Sequence, residues 1–308
     1  MTKIKKILNY KMHNDMVDQT ENDPGLVQRI NFCQWSQVDS NLYIASGATF
    51  KTLPAGKYVA KWYKSSHALE FRPLEIDEIY VFPNSIPESV LKEAQEFWDN
   101  EDKYKTHNLL HRRGLLLYGA QGHGKTSIIQ LIMQDVIQRN GIVLVCNTDP
   151  ELVDQIMQNF RQVEPTRKLL CVFEDIDALI ETWGEDHILS ILDGENQINH
   201  VLNVATSNYP ENLDNRLTNR PRRFDNIVKV EAINRIEREL YFSKKITFTS
   251  EEEKQKWLDV SEGFSFAALA EMVISIKILD RDFDDTVNRL KMMMKNKSIR
   301  KEKSELGF

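Results

Sequence analysis

The sequence predicts an α/β fold in which a five-stranded, mostly parallel sheet carries helices on both faces. Short apolar runs, the candidate strands, lie at residues 114–118, 142–146, 168–173, 201–206 and 226–230. Segments with helical periodicity alternate with them. After Glu231 the strand patterns stop, and apolar residues recur at helical spacing at 232–243, 251–260, 265–280 and 283–296. A glycine-rich loop separates the first apolar run from the helical segment that begins at Lys125. We therefore expect an α/β domain followed by an all-helical C-terminal domain.

The residues before the first of these runs predict a small β-rich N-terminal domain. A turn signal at Leu53–Gly56 precedes alternating residues at 58–62, so we expect a hairpin there. A second strand pair is expected to include Ile76–Phe82. The predicted domains are residues 1–84, 85–231 and 232–290, followed by a basic tail, residues 291–308.

Serine residues at capping spacing mark three helix starts. Ser85, with Glu88, precedes the first helix. Ser250, with Glu253, precedes one C-terminal helix, and Ser265 precedes the next. We expect Phe264 and the alanines after it to pack the core of the C-terminal domain.

The composition is that of a soluble globular protein: of 308 residues, 41% are apolar and 28% charged. The net charge of −6 argues against binding nucleic acid or an anionic membrane over the whole surface. The apolar runs are too short to span a bilayer, and no signal peptide pattern follows Met1. Cys33, Cys146 and Cys171 lack metal-ligand spacing, and two of them fall in predicted strands. We expect a cytoplasmic protein without a membrane contact.

The segment Gly119–Thr126 matches the phosphate-binding pattern G-x-x-x-x-G-K-[ST] at every fixed position. Glycines let successive amide groups turn toward one anion, and the following helix adds its partial positive charge. Lys125 can reach the β- and γ-phosphates, and Thr126 can contribute a hydroxyl to Mg²⁺. His123 fills an open position of the pattern, where a solvent-facing side chain is favoured over a phosphate contact. The residues predicted to bind the nucleotide are Gly119, Ala120, Gln121, Gly122, His123, Gly124, Lys125, Thr126 and Ser127.

Three carboxylates follow the buried run 168–173: Glu174, Asp175 and Asp177. In a parallel sheet, ligands bind at the carboxyl ends of the strands, so these side chains are expected to meet the cation that a nucleotide carries. One carboxylate would bind Mg²⁺ and the next would polarise an attacking water. A helix N-cap is the alternative interpretation.

These motifs occur together with Ile191–Gly194, Ala205–Asn208, Leu213–Asp214 and Arg220–Asp225 in the order found in AAA ATPases. The chain resembles that family over residues 107–275. Within the family, residues 112–114 and 174–177 resemble those of the mitochondrial ATPase of complex III assembly, which translocates the Rieske protein, and of its bacterial and bacteriophage relatives. The soluble bacterial and bacteriophage relatives are the closer comparison.

The resemblance implies ATP and Mg²⁺ as ligands and assigns roles to individual residues. Glu174 takes the metal-associated position and Asp175 that of the catalytic base; most relatives have Asp and then Glu there, and we favour Asp175 as the base. Asn208 matches the residue that orients water against the γ-phosphate, with a buried structural amide as the alternative. Arg220 and Arg223 match positions that act on a neighbouring subunit, with a solvated basic loop as the alternative. The resemblance therefore implies a homo-oligomer, a hexamer-like ring.

Other features are less typical of the ring-forming unfoldases. Residues 147–160 lack the aromatic-hydrophobic-glycine triplet that grips a threaded polypeptide, and Trp183-Gly184 is expected to pack at a helix start instead. The stretch 263–271 lacks the arginine that serves many relatives as a second sensor. We expect an ATPase that remodels or moves an unknown macromolecule, and protein is favoured over nucleic acid as that partner. Because the tail 291–308 is basic, an ATP-dependent switch or loader on DNA is the alternative, followed by an ATP-binding assembly scaffold.

Overall fold

A computed structural model of the chain describes residues 34–39, 42–46, 51–63, 66–75, 79–193, 198–209 and 223–293. The chain divides into two compact units, residues 1–51 and 52–308. In the first unit, the described residues form an antiparallel pair of strands, β1 (Gln34–Asp39) and β2 (Leu42–Ser46). The N-terminal boundary expected at residue 84 stays a prediction.

The second unit is built on one seven-stranded sheet. Five of its strands are those that the apolar runs predict: β5 (Arg112–Tyr118), β6 (Ile142–Val145), β7 (Leu169–Phe173), β8 (Val201–Ser207) and β9 (Asn226–Lys229). All neighbouring pairs among these five are parallel. A hairpin, β3 (Gly56–Tyr63) and β4 (Ser66–Arg72), completes the sheet, whose order is β4-β3-β6-β7-β8-β5-β9.

The predicted number of five strands is too small, because the hairpin joins the central sheet. β3 pairs antiparallel with β4 but parallel with β6, from Gly56 opposite Ile142 to Val59 opposite Val145. Tyr58 and Ala60 alternate into the buried core, whereas Trp62 is 52% exposed. The predicted second strand pair is not observed: residues 79–82 form no strand, and residues 76–78 lie outside the described part.

Helices cover both faces of the sheet, as predicted. Alternation within β5 directs Leu115 and Leu117 to one face and Leu116 to the other. The first face packs against α1 (Ile86–Asp99) and α3 (Lys125–Gln138). The second packs against α4 (Pro150–Val163), α5 (Ile176–Trp183) and α6 (Glu185–Asp193). A short helix, α2 (Glu101–Thr106), links α1 to β5.

The C-terminal part is helical, as its periodicity predicts. It contains α7 (Arg235–Lys245), α8 (Glu251–Val260), α9 (Phe266–Val273), a π-helical turn (Ile274–Ile278) and a helix over residues 283–293. These elements share a core that includes Phe242, Trp257, Leu269 and, as expected, Phe264. The tail beyond residue 293 lies outside the described residues.

Side chains cap the helices where the sequence predicts it. Ser85, Ser250 and Ser265 each accept a hydrogen bond from the amide three residues later. Asn234 and Glu237 form a further, reciprocal capping box at the start of α7. Among the residues described, no helix is long and apolar enough to cross a membrane.

Candidate functional site

The glycine loop of residues 119–124 connects the carboxyl end of β5 to the start of α3. Gly119, Gly122 and Gly124 all have positive φ, at 149°, 88° and 99°. A Cβ atom on Gly119 would lie 2.3 Å from the Val230 carbonyl oxygen, and one on Gly122 would lie 2.9 Å from Ser265 Cβ. The loop is therefore packed between the end of β9 and the start of α9, where only glycine fits both the backbone angles and the space.

Lys125 is held inside the loop that it follows. Its side chain is buried, and its Nζ donates to the carbonyl oxygens of Gly119 at 2.6 Å and Ala120 at 3.2 Å. Nζ also donates to Asn208 Oδ1 at 2.7 Å. Thr126, the next residue of α3, is exposed. This arrangement places one cation and the amino end of a helix at the same point, which is the requirement for binding an anionic phosphate.

Asn208 connects Lys125 to the acidic residues after β7. Its Nδ2 donates to Asp175 Oδ1 at 2.7 Å, while its Oδ1 accepts from Lys125. The strands β5, β8 and β7 are neighbours and parallel, so the residues that follow them meet at one edge of the sheet. The three motifs predicted from separate stretches of sequence therefore form one hydrogen-bonded group.

The three carboxylates after β7 have different surroundings. Asp177 accepts from Ser207 Oγ and the Asn208 amide, both at 3.0 Å, so it supports the end of β8. Asp175 occupies the N-cap position of α5, but its side chain makes no capping hydrogen bond and instead accepts from Asn208. This contact disfavours the helix-cap interpretation of Asp175. Burial, and then the neighbouring Asp175, raise the pKa of Glu174.

Asn147 fixes the backbone that presents Glu174. Its Oδ1 accepts from the Glu174 amide at 3.0 Å, and its Nδ2 donates to the Glu174 carbonyl at 2.9 Å. Asn147 was not among the residues predicted for the site. Its signal was available, because Asn147 is the first strongly polar residue after the apolar strand β6.

A cavity of about 910 Å³ lies beside the glycine loop. His123, Gly124 and Ser127 line it, together with residues from distant segments that include Tyr80, Ile233 and Phe266. His123 is partly buried, with its Nδ1 3.1 Å from the Val230 carbonyl oxygen, so the favoured solvent-facing position is not observed. A mostly apolar, aromatic-lined space next to a phosphate-binding loop suits the base and sugar of a nucleotide. No local pattern in the sequence indicated that Tyr80, Ile233 and Phe266 line this cavity, because they belong to segments far from the glycine loop in sequence.

The two arginines are placed differently. Arg223 is buried within the chain, with 6% of its surface exposed, and it lies next to Phe224 and Asp225 against β5. Arg220 lies outside the described residues.

Trp183 ends α5 and is 40% exposed, so the expected packing at a helix start is not seen.

These features define a P-loop nucleotide-binding domain: a parallel α/β sheet, a glycine loop before a helix, a buried lysine, and polar residues converging on it from neighbouring strands. The residues fit a nucleoside triphosphate with its metal ion, because Thr126 and Glu174 supply the oxygen donors that Mg²⁺ takes.

Comparison with known proteins finds a family model that matches the part of the chain carrying this site. Residues 115–232 match the ATPase family associated with various cellular activities (AAA). The human mitochondrial chaperone BCS1 is 30% identical over 119 residues, which are 39% of this chain and 27% of that protein. An AAA ATPase forming ring-shaped complexes from Corynebacterium kroppenstedtii is 25% identical over 222 residues, 59% of this chain and 38% of that protein. The matches thus span well under half the length of these relatives. The chain contains an AAA family domain and is homologous, at modest identity, to the BCS1 chaperones.

Proposed function

We propose that this chain binds and hydrolyses ATP with Mg²⁺, and that hydrolysis drives the remodelling or movement of a macromolecular partner. The observation that carries the proposal is the continuous hydrogen-bonded group of Lys125, Asn208 and Asp175. An AAA domain supports ATP as the nucleotide, and the name of the BCS1 relatives, a chaperone, favours a protein partner over nucleic acid.

In this proposal the phosphates bind to the backbone amides of Gly119–Ser127 and to Lys125. Thr126 and Glu174 hold Mg²⁺, which when bound neutralises part of the phosphate charge. The raised pKa of Glu174 supports this role, because a cation beside a partly buried carboxylate offsets the unfavourable burial and the charge of Asp175.

Asp175 acts as the base toward the attacking water, and Asn208 orients that water. Without nucleotide, the Lys125 ammonium uses two loop carbonyls and Asn208 Oδ1 as acceptors. Phosphate oxygens replace these acceptors when ATP binds, because they carry more negative charge. Asn208 Oδ1 is then released to accept from water beside Asp175. Nucleotide binding thereby completes the site for hydrolysis.

We propose further that the chain works in the cytoplasm as a homo-oligomeric ring, resembling a hexamer, in which an arginine reaches the site of the neighbouring subunit. Arg220 is the better candidate, because Arg223 is buried within its own chain. The printed name of the Corynebacterium relative, which forms ring-shaped complexes, supports the ring. The helices after residue 231 act as a lid, since Ser265, the N-cap residue of α9, lies so close to Gly122 that a Cβ added to this glycine would be 2.9 Å from Ser265 Cβ.

Two substitutions test the site. Lys125→Ala should abolish ATP binding. Asp175→Asn should still bind ATP, but its hydrolysis rate should fall by at least about 100-fold. Asp284→Asn makes the same chemical change on the exposed surface of the C-terminal helices and serves as the control. Nucleotide titration and phosphate release are the measurements. Normal hydrolysis by Asp175→Asn would assign the base to another residue.

Mixing subunits tests the ring. Arg220→Ala should lose hydrolysis and keep ATP binding, and activity should return in part when it is mixed with Asp175→Asn subunits. The absence of recovery in every mixture would contradict a shared site. Hydrolysis stimulated by DNA, with a steep salt dependence, would favour the DNA-associated switch.

A further inference from the structure

Two buried histidines lie side by side at the end of the sheet opposite the glycine loop. His111 precedes β5 and His200 precedes β8, and the parallel register opposes Arg112 and Val201, the first residues of these strands. The same register therefore brings the two histidines together. Their Nδ1 atoms are 3.4 Å apart, and 1% and 4% of their surfaces are exposed. The length of β5, about 20 Å, separates them from the glycine loop.

Glu101, the first residue of α2, brings a carboxylate to this pair. Its Oε1 lies 3.6 Å from His200 Nδ1, and its side chain is 24% exposed. The three ligand atoms all lie within 4.8 Å of one another. Among the described residues, this is the one group of histidine, cysteine or acidic side chains that converges in this way.

The hydrogen bonds around His111 prepare it to act as a ligand. Its Nε2 faces the Phe97 carbonyl oxygen at 2.8 Å and therefore carries the ring proton, which leaves a lone pair on Nδ1. Phe97 also stacks on the imidazole at 4.1 Å, which fixes the ring. Histidine ligands of metals characteristically donate their second nitrogen to a carbonyl or carboxylate in this way. Burial lowers the pKa of both His111 and His200, which favours the neutral imidazole that a metal ion requires.

Asn199 fixes the backbone on both sides of the pair. Its Oδ1 accepts from the His111 amide at 2.6 Å and from the His200 amide at 3.1 Å. The two histidines are thus held by one side chain, by the strand register and by ring stacking. A site whose ligands are fixed before binding loses less entropy when the ligand arrives.

We propose that Glu101, His111 and His200 bind a divalent transition-metal ion of the zinc type. Two ligands at about 2.05 Å from a tetrahedral metal are about 3.3 Å apart, close to the observed separation of the Nδ1 atoms. Two imidazoles and one carboxylate suit zinc or cobalt, whereas magnesium and calcium take oxygen ligands. The partial exposure of Glu101 leaves room for water as a fourth ligand. The ion would join α2 to the amino ends of β5 and β8.

Lys105 competes with the metal for the carboxylate. Its Nζ lies 2.7 Å from Glu101 Oε1, and its side chain is 59% exposed. An exposed ion pair of this kind contributes little free energy, so a dication can displace the ammonium at small cost. Replacing Lys105 should therefore strengthen metal binding. If the cluster only stabilises the fold, replacing Lys105 would not create or strengthen such binding.

The test is a titration of the full chain, free of nucleotide and stripped with a chelator, with Co²⁺ alone. We expect a visible absorption band that saturates at one ion per chain and disappears on adding Zn²⁺. Glu101→Gln and His200→Gln should weaken binding about tenfold or more, as losses around metal ligands do. Lys105→Met should tighten it. His187→Gln removes an exposed histidine on α6 and should leave binding unchanged.

Thermal unfolding of each variant, with and without Zn²⁺, separates metal binding from folding. Zn²⁺ should raise the melting temperature of the wild type and of Lys105→Met, and raise that of Glu101→Gln less. Because Glu101 and Lys105 are partly exposed, both variants are expected to fold even if His200→Gln does not. A wild-type chain that shows no band and no Zn²⁺-dependent melting would overturn the proposal. Binding that is unaffected by Glu101→Gln and Lys105→Met would also overturn it.

Discussion

Gly114 offers the sharpest test of how the sheet positions the segment that carries the arginines. It lies in β5, and a Cβ atom added there would be 1.9 Å from the Arg223 carbonyl oxygen and 2.9 Å from its carbonyl carbon. Both atoms belong to the backbone, so no side chain can rotate away. Gly114→Ala must therefore push residues 223–225 away from β5.

The cost of this displacement follows from the contacts that it breaks. Gly114 and Asp225 form a reciprocal pair: the Asp225 amide donates to the Gly114 carbonyl at 2.8 Å, and the Gly114 amide donates to Asp225 Oδ2 at 2.9 Å. Overpacking costs about 1–3 kcal/mol, and each weakened hydrogen bond costs about 1 kcal/mol more. We expect a loss of about 3–5 kcal/mol, which is a large part of a typical unfolding free energy of about 5–15 kcal/mol.

Urea unfolding followed by circular dichroism measures this loss. Gly263→Ala is the matched control, because an added Cβ there meets no atom within 4 Å and the cost is limited to the positive φ of 75°, about 1–2 kcal/mol. Equal stability of Gly114→Ala and Gly263→Ala would contradict a backbone clash at Gly114. Where Gly114→Ala still folds, its ATP hydrolysis should fall more than its ATP binding, because the displaced segment leads back to Arg220.

Two further predictions concern Asn208 and Glu253. Asn208→Ala should reduce hydrolysis about 100-fold and change ATP binding only a few-fold, measured by phosphate release and nucleotide titration; unchanged turnover would remove Asn208 from the site. Hydrogen bonds from Lys277 and, to a smaller extent, from Thr249 lower the pKa of Glu253 to about 2. This value lies below the pKa of the same group in the unfolded chain. The carboxylate therefore stabilises the fold fully above about pH 5, and this contribution decreases as the pH falls toward 2. Glu253→Gln should therefore lower the unfolding free energy at pH 7 by about 1 kcal/mol, discounted for its exposure, and this difference should shrink on acidification; a constant difference across the pH range would contradict the assignment.

The sequence predicted those features that depend on local patterns. The five parallel strands β5 to β9, the glycine loop and the helix caps each follow from the residue types within a short window, and the structure has them within a few residues. The meeting of Asp175 with Asn208 was also predictable, because parallel strands bring their carboxyl ends to one edge. The edge on which the β3–β4 hairpin pairs was not predictable, since the paired residues of β3 and β6 are 86 residues apart and many registers bury the same alternation. The pairing of His111 with His200 was missed for the same reason.

The pairing of β5 with β8 has consequences at both of its ends. It runs in register from Arg112 opposite Val201 to Tyr118 opposite Ser207. At the carboxyl end it sets Lys125 against Asn208, and at the amino end it sets His111 against His200. A slip of one residue would reverse the faces of one strand and separate both pairs at once. An ion that joins the amino ends of the two strands would therefore also hold the register on which the lysine–asparagine contact depends, although it lies about 20 Å from the nucleotide.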